Sequence, residues 1–278
     1  MKKPSWLNKK IDFEKCIKVK RILRKFNLHT ICEEAMCPNI SECFFKKAVS
    51  FLLLGNVCSY NCKFCAVKKG KPLSPDTQEP KNIARVVKLL GIKGVVLTSV
   101  CRPDLEDEGL SQFLKTIKEI RKLTPQVLIE VLIPNFSQKS LIDNLIKEHP
   151  QIIAHNLETV ERLHPSVKKG TSYKDSLKLL KLIKEKDKTI FTKSGLLLGI
   201  GEKPKEVIKT LIDLRKVNCD FLSLGQYLRP SPEKMEVKEY LPLEKFNFYR
   251  EKALELGFKH VESSPYVRSS YKVLSYFS

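Results

Sequence analysis

Six short apolar runs, separated by amphipathic segments of helical period, set the fold class of this 278-residue chain. Runs that stay apolar over consecutive positions are typical of strands covered on both faces, and strand–helix alternation indicates a parallel sheet with helical crossovers. The predicted strands are 50–57, 94–100, 126–133, 151–158, 188–200 and 219–228, and the predicted helices between them are 81–90, 110–123, 138–148, 173–186 and 204–217. The pattern predicts an α/β fold and leaves open a doubly wound sheet or an incomplete barrel.

The segments before and after this strand–helix alternation have a different composition. Residues 1–49 are basic, with a predicted helix over 13–25, and precede the first strand. Residues 231–278 begin proline-rich and polar, and continue with a predicted helix and a short strand. We therefore predict three regions: an N-terminal extension (1–49), a partial barrel or sheet (50–230) and a C-terminal extension (231–278).

Composition narrows the class of protein. No apolar run approaches the roughly 18 residues of a membrane helix, and the first ten residues lack the apolar core of a secretory signal, so the sequence predicts a cytoplasmic protein without membrane contact. The net charge of +20 indicates either a solvated basic surface or an acidic partner. Nucleic acid is disfavoured as that partner, because no Lys/Arg run alternates with aromatic residues.

Six of the nine cysteines lie between residues 32 and 65, in two triplets. The first triplet, Cys32, Cys37 and Cys43, has the spacing C-x4-C-x5-C, and the second, Cys58, Cys62 and Cys65, has the spacing C-x3-C-x2-C. A four-iron cluster held by three thiolates keeps one iron for another ligand, so two triplets predict two clusters. Structural zinc favours four closed ligands, usually in C-x2-C pairs, and only Cys62 and Cys65 have that spacing.

The second triplet resembles the radical S-adenosylmethionine superfamily. Its motif CSYNCKFC follows a predicted strand and has the aromatic Phe64 directly before the last cysteine. The resemblance implies a six-stranded partial (β/α)6 TIM-like barrel, with ligands at the carboxyl ends of the strands. It also implies that Cys58, Cys62 and Cys65 hold a 4Fe-4S cluster whose open iron binds S-adenosylmethionine, and that electron transfer to the sulfonium gives a 5′-deoxyadenosyl radical.

Over nearly the whole chain the sequence resembles the lipoyl synthase family. The segments that carry this resemblance are CEEAMCPNISEC, PSWLNKK, LTSVCRPDL, HNLETV, TKSGLLLGIGE, QYLRPS and VRSSY. It implies that Cys32, Cys37, Cys43 and Ser270 hold a second, auxiliary 4Fe-4S cluster that is consumed as the sulfur source. The implied reaction inserts two sulfur atoms, at C6 and C8, into a protein-bound octanoyl-lysine.

The same resemblance implies the partners. These are octanoylated lipoyl carrier domains of the E2 subunits of 2-oxoacid dehydrogenases or of the glycine cleavage H protein, a reductant such as ferredoxin or flavodoxin, and a cluster-delivery protein. Acidic carriers would give the net charge of +20 a use. Two alternatives stay open: another sulfur-inserting radical enzyme, of the biotin-synthase or tRNA-thiolation kind, and a zinc-stabilised nucleic-acid-binding protein.

Further cofactor-binding residues are predicted along the strands. A buried carboxylate on the strand 126–133 needs a partner or a ligand, and two polar residues, two apart on the strand 151–158, should share a face. Arg162 is predicted either to pair with Glu158 or to bind the cofactor carboxylate, and the glycines beside Glu202 to let the backbone pass close to adenosine. The predicted contacts are Phe64, Thr98, Ser99, Glu130, Asn156, Arg162, Lys193, Glu202, Gln226 and Leu228. One departure from the family pattern is Cys101, where the family usually has aspartate.

Overall fold

The computed structural model describes residues 3–277, apart from 135 and 137, as two compact units. The first, here called the N-terminal unit, comprises residues 10–60, 67–152 and 272–277. The second, the C-terminal unit, comprises residues 3–9, 61–66 and 153–271. The division into two extensions and a central region stays a prediction.

The N-terminal unit alternates strands with helices from residue 50 onward. In chain order its elements are α1 (Glu14–Lys25), β1 (His29–Thr30), α2 (Ile31–Glu34), α3 (Ile40–Phe45), β2 (Ser50–Leu53), β3 (Val57–Cys58), β4 (Lys68–Lys69), α4 (Glu79–Leu90), β5 (Gly94–Ser99), α5 (Leu110–Leu123), β6 (Leu128–Leu132), α6 (Lys139–Lys147) and a 3-10 turn (Val273–Phe277). Its sheet has the order β1-β2-β5-β6, with β2, β5 and β6 parallel and β1 antiparallel to β2.

The C-terminal unit continues the same alternation. Its elements are a 3-10 turn (Ser5–Leu7), β7 (Ile152–Ala154, of which the first residue belongs to the N-terminal unit), α7 (His164–Val167), α8 (Tyr173–Lys186), β8 (Phe191–Leu198), α9 (Pro204–Lys216), β9 (Phe221–Gln226), α10 (Leu243–Glu255) and β10 (His260–Ser263). The strand order is β7-β8-β9-β10, and β8, β9 and β10 are parallel. In the described part of the chain, every helix is too short or too polar to span a bilayer.

Local sequence explains where the helices begin and end. Ser172 caps α8, because its hydroxyl accepts the N–H of Asp175 at 3.1 Å. Gly91 ends α4 in the left-handed conformation, with φ of +63°, which a glycine adopts without a steric penalty. The helices then cover the strands with apolar side chains, as Leu211 of α9 and Phe246 of α10 do, both fully buried with Leu222 of β9 in one core cluster.

The prediction of one strand over 50–57 is wrong in its extent. The strand β2 ends at Leu53, and Leu54 and Gly55 turn the chain through left-handed conformations with φ of +68° and +86°. Left-handed backbone is uncommon for a leucine and needs support from the surrounding structure. Glu79 gives that support: its carboxylate is buried and accepts the Leu54 N–H at 3.1 Å and the Gln112 amide at 2.7 Å.

Replacing Glu79 with alanine is expected to lower the free energy of unfolding by about 3 kcal/mol, because it leaves two buried donors without their acceptor. Burial raises the pKa of Glu79, so its hydrogen bonds offset only part of the desolvation cost of this carboxylate. Urea denaturation followed by circular dichroism under anaerobic conditions measures the change. The half-buried Glu119 of α5, whose carboxylate pairs with the exposed Lys122, is the control, and its alanine variant should unfold like the parent. Equal stability of the two variants would contradict this role.

Candidate active site

In the N-terminal unit, Cys58 lies beside the carboxyl end of β5. The backbone N–H of Cys101, two residues beyond β5, donates to the Cys58 sulfur at 3.3 Å, and the Ser59 N–H donates to the Cys101 carbonyl. The short parallel pair β3–β4 closes the base of the cysteine loop, with Cys58 opposite Lys69. The carboxyl ends of parallel strands are where α/β folds bind ligands.

The surroundings of Cys58 favour its thiolate. The side chain of Cys101 hydrogen-bonds the Cys58 sulfur and, with the backbone N–H groups of Cys101 and Tyr60, lowers the pKa of Cys58 to about 6. A thiolate is the form that binds metal. Cys101, which sequence analysis flagged as a departure from the family, therefore contacts a predicted cluster ligand directly.

The first triplet lies on and between two short helices of the N-terminal unit. Cys32 belongs to α2 and is buried, Cys43 belongs to α3, and Cys37 lies between the two helices, where its N–H donates to the Cys32 carbonyl at 3.0 Å. Burial, and then the neighbouring thiols of Cys37 and Cys43, raise the pKa of Cys32 to about 12. The thiol of Cys32 is thus neutral and shielded from water, and it must lose its proton to become a metal ligand.

All nine cysteines are free thiols, so none of the predicted ligands is spent in a disulfide. Among residues 3–277 without 135 and 137, no three Cys, His, Asp or Glu side chains converge as ligands of a single metal ion would. A cluster places its thiolates on different irons, so its ligands need not converge on one point. Each triplet supplies three thiols, which fit an iron–sulfur cluster with one open iron better than a closed four-ligand zinc site.

In the C-terminal unit, the second half of the CSYNCKFC loop packs near the carboxyl ends of β8 and β9. The Lys169 N–H donates to the Cys62 sulfur at 3.4 Å, and the Cys65 N–H donates to the Cys62 carbonyl at 3.2 Å. Phe64 packs on a small apolar cluster that includes Ile200, two residues beyond β8, and Tyr227, one residue beyond β9. The structure therefore sets the loop at the strand ends of this unit.

Asn156 and Glu158 lie beyond the end of β7, not on a strand as predicted, because β7 ends at Ala154 and Glu158 has a φ of +68°. Their side chains nevertheless meet, since Asn156 Nδ2 donates to Glu158 Oε1 at 2.9 Å. Desolvation raises the pKa of Glu158. Asn156 Oδ1 is buried and has no hydrogen-bond partner in the described structure, so it is an acceptor that a bound polar group could use.

Glu202 shapes the turn that follows β8. Its carboxylate accepts the backbone N–H groups of Gly199 at 2.5 Å and of Ile200 at 2.9 Å. Gly199 has a φ of +92°, and a Cβ there would lie 2.2 Å from both the Gln226 amide and the Glu239 carbonyl. Only a glycine fits this close approach. The close neighbours of Gly199 are therefore protein atoms, and the passage of this backbone close to adenosine stays a prediction.

The Gln226 side chain is occupied by the protein itself. Its Nε2, which carries two protons, lies within hydrogen-bond distance of the Leu198, Tyr227 and Glu239 carbonyls, and its Oε1 accepts the Leu241 N–H at 2.9 Å. The amide thus fastens the segment around residues 239–241 to the carboxyl end of β9. Leu228, two residues beyond Gln226, is half-buried, and its predicted contact with the cofactor stays a prediction.

The pairing of Arg162 with Glu158 is wrong. The Arg162 guanidinium binds Glu206, with a shortest distance of 2.7 Å, and donates to the Gly201 carbonyl at 2.9 Å. This ion pair lowers the pKa of Glu206 to about 2. Glu206 is the better partner because it lies in the first turn of α9, where its carboxylate also accepts the Lys203 N–H.

The remaining predicted contacts lie on strands. Thr98 and Ser99 end β5, and the buried Ser99 hydroxyl has no hydrogen-bond partner within the part of the chain that the structure describes. Glu130 lies on β6 and Lys193 on β8, and both are fully buried.

The VRSSY segment (267–271) runs across the ends of β7 and β9. Gln226 N–H donates to the Pro265 carbonyl at 3.1 Å, and a Cβ at Gly225 would lie 2.1 Å from the Val267 carbonyl oxygen. The two serines differ. Ser269 accepts a hydrogen bond from Asn156, whereas the half-buried hydroxyl of Ser270 has no hydrogen-bond partner in residues 3–277 as described.

Sequence reasoning missed three residues that shape this region: Glu79, Lys168 and Ser269. Lys168 Nζ donates to the Asn156 carbonyl at 2.5 Å and contacts His155 Nε2 at 3.1 Å. Nothing local identifies Glu79 or Lys168. Ser269 could have been found from the sequence, because it directly precedes Ser270 in the VRSSY motif that resembles the lipoyl synthase family.

Comparison with known proteins defines the class. Residues 52–214 match the family model of the Radical SAM superfamily, so the chain belongs to that superfamily and uses S-adenosylmethionine with a 4Fe-4S cluster. A protein named lipoyl synthase from Caldicellulosiruptor saccharolyticus is 48% identical over 97% of this chain and 95% of its own length. Another from Aquifex aeolicus is 49% identical over 94% of this chain and 95% of its own length. The chain belongs to the lipoyl synthase family, which are sulfur-inserting enzymes.

Solved structures bear on the fold alone. Streptococcus suis SuiB bound to S-adenosylmethionine has a TM-score of 0.59 at 16% identity, over 87% of this chain and 58% of that one. The methylornithine synthase PylB has a TM-score of 0.52 at 14% identity, over 81% of this chain and 75% of that one. With the parallel strand orders above, these likenesses confirm the α/β fold class and its kinship with partial (β/α) barrels.

Proposed function

We propose that this chain converts a protein-bound octanoyl-lysine to lipoyl-lysine by inserting sulfur at C6 and C8. The observation that carries the proposal is the presence of two separate triplets of free cysteines in one chain of this family. When bound, the clusters and S-adenosylmethionine supply hydrogen abstraction from unactivated carbon and the sulfur atoms, which no side chain can supply. The chain itself holds, orients and shields these groups.

The ligands of the first cluster are proposed to be Cys58, Cys62 and Cys65. Support comes from hydrogen bonds to the sulfurs of Cys58 and Cys62, since such bonds tune a bound cluster. The buried acceptor Asn156 Oδ1 and the buried Ser99 hydroxyl are the proposed partners for polar groups of the cofactor. The other residues proposed to line this cofactor site are Phe64, Thr98, Glu130, Arg162, Lys193, Glu202, Gln226 and Leu228.

The ligands of the auxiliary cluster are proposed to be Cys32, Cys37, Cys43 and Ser270. Support comes from the neighbouring thiols of the triplet and from the Ser270 hydroxyl, which has no hydrogen-bond partner within the described part of the chain. An alkoxide oxygen is a harder ligand than a thiolate and less matched to cluster iron, so one such bond suits a cluster that must give up its sulfur.

The proposed partners are octanoylated carrier domains, a ferredoxin or flavodoxin reductant and a cluster-delivery protein, all in the cytoplasm. The net charge of +20 supports carriers of opposite charge, which such a field would attract over a long range.

The test is an anaerobic incubation of the reconstituted chain with an octanoylated carrier domain, S-adenosylmethionine and a reductant, followed by mass spectrometry of the carrier. Two added sulfur atoms per octanoyl group are expected, with slower conversion as salt is raised. An unchanged carrier would reject the proposed function. Conversion at a rate independent of salt would reject only the proposed attraction between carrier and enzyme by charge. Metal analysis distinguishes this enzyme from a zinc-stabilised nucleic-acid-binding protein, since the enzyme is expected to hold about eight irons per chain after reconstitution.

A further inference from the structure

Asn156 uses both of its amide protons within the C-terminal unit. Its Nδ2 donates to Glu158 Oε1 and to Ser269 Oγ, each at 2.9 Å. A side-chain amide has two N–H donors, so this geometry exhausts them. Asn156 is only 7% exposed, which makes these hydrogen bonds sheltered from water.

Asn156 is itself held from two sides. Lys168 Nζ donates to its backbone carbonyl at 2.5 Å. On the neighbouring strand β8, Gly195 leaves the space that the amide occupies, because a Cβ at this position would lie 2.9 Å from Asn156 Oδ1. The donor that reaches Ser269 therefore has a fixed direction, as a positioning group requires.

Ser269 directly precedes Ser270, the proposed cluster ligand. The chain leading to it follows the end of β9 through backbone contacts, since Ser264 N–H donates to the Leu224 carbonyl at 3.2 Å and Gln226 N–H donates to the Pro265 carbonyl at 3.1 Å. Asn156 adds a side-chain hydrogen bond next to Ser270. One serine is thus held by a hydrogen bond, while the hydroxyl of the next has no partner among the described residues.

We propose that Asn156 is a positioning residue, which holds Ser269 and thereby orients the Ser270 hydroxyl for cluster binding. The two serines of the motif then have separate tasks: Ser269 anchors the segment and Ser270 binds iron. This inference rests on the proposed ligand role of Ser270. It assigns Asn156 a role beyond the cofactor contact that sequence analysis predicted.

The test measures how firmly the auxiliary cluster is held. The full chain with Cys58, Cys62 and Cys65 replaced by alanine, which keeps only the auxiliary ligand set, is reconstituted anaerobically, and iron release to a chelator is followed by absorbance. Ser269→Ala and Asn156→Ala are each expected to release iron about fivefold faster than this parent, as the loss of one sheltered hydrogen bond implies. The double variant should be no faster than Asn156→Ala, because both changes remove the same contact.

Three further variants make the result specific. Ser269→Thr keeps the hydroxyl and should restore the parent rate. Ser263→Ala removes a hydrogen bond of the same segment, from Ser263 Oγ to the Phe246 carbonyl at 2.8 Å, without touching Asn156, and should release iron like the parent. Ser270→Ala should be the fastest of the single variants. In the holoenzyme, Ser269→Ala should also raise the ratio of 5′-deoxyadenosine to lipoyl product.

The outcomes that overturn the inference are distinct from those that overturn the function. If Ser269→Ala stays within twofold of the parent while Ser270→Ala is fast, positioning by Asn156 is rejected and the ligand role of Ser270 stands. If Ser263→Ala accelerates release as much as Ser269→Ala, or the double variant is additive, the effect is general loosening and the inference fails. If Ser270→Ala matches the parent, the proposed ligand itself is wrong.

Discussion

Cys62→Ala is expected to abolish both 5′-deoxyadenosine and lipoyl formation, to the level of an enzyme-free control. Cys62 is one of three proposed thiolates of the first cluster, and its sulfur accepts the Lys169 N–H at 3.4 Å. Without this thiolate one iron loses its protein ligand, so the site that binds S-adenosylmethionine cannot be completed. Liquid chromatography of the reaction mixture measures deoxyadenosine, and iron analysis should fall from about eight to about four per chain.

Cys219 is the matched control for this variant. It lies in the same C-terminal unit, but it is fully buried and its thiol donates to the Phe221 carbonyl at 3.4 Å. Burial raises its pKa to about 12, as for an inert structural cysteine. A conservative Cys219→Ala should keep both products. Deoxyadenosine formation by Cys62→Ala at the parent rate would show that this cysteine is no cluster ligand.

The fold was largely predictable because its signal is periodic. All six predicted strands exist, since runs of Val, Ile and Leu between amphipathic helices have few other ways to be buried. The strand ends were less predictable. The run 50–57 breaks at Leu54, whose left-handed turn depends on Glu79, 25 residues away in sequence. The two-residue strand β1 is too short to show any periodicity.

In the candidate site, too, the local sequence patterns were predictable and the long-range contacts were not. The cysteine triplets are local patterns, so their spacing alone predicted a cluster chemistry. The neighbours of these cysteines are not local: Cys101 reaches Cys58 across 43 residues, and Asn156 reaches Ser269 across 113. The hydrogen bonds of the Gln226 side chain to backbone groups of Glu239 and Leu241 could not be predicted either, because these partners lie more than ten residues away in the sequence. Only the fold brings such pairs together.

A cysteine of the first triplet separates the two proposed clusters by function. Cys37→Ala is expected to abolish lipoyl formation while 5′-deoxyadenosine formation stays close to the parent rate. The physical reason is that the first cluster keeps all of its ligands, whereas the proposed sulfur source loses one of its three thiolates. Mass spectrometry of the carrier and chromatography of deoxyadenosine, from the same reaction, measure both quantities.

Cys16→Ala is the control, because Cys16 lies in the same unit but is buried in α1, where its thiol contacts the Asp12 carbonyl at 3.6 Å. This variant should form both products.

Retained iron of about four per chain in Cys37→Ala, with an unchanged circular dichroism spectrum, would exclude unfolding as the cause of its lost thiolation. Lipoyl formation by Cys37→Ala at the parent rate would mean that the sulfur comes from elsewhere. Loss of deoxyadenosine together with lipoyl would mean that the two triplets do not act separately, because the uncoupling of the two products follows only if each triplet holds its own cluster.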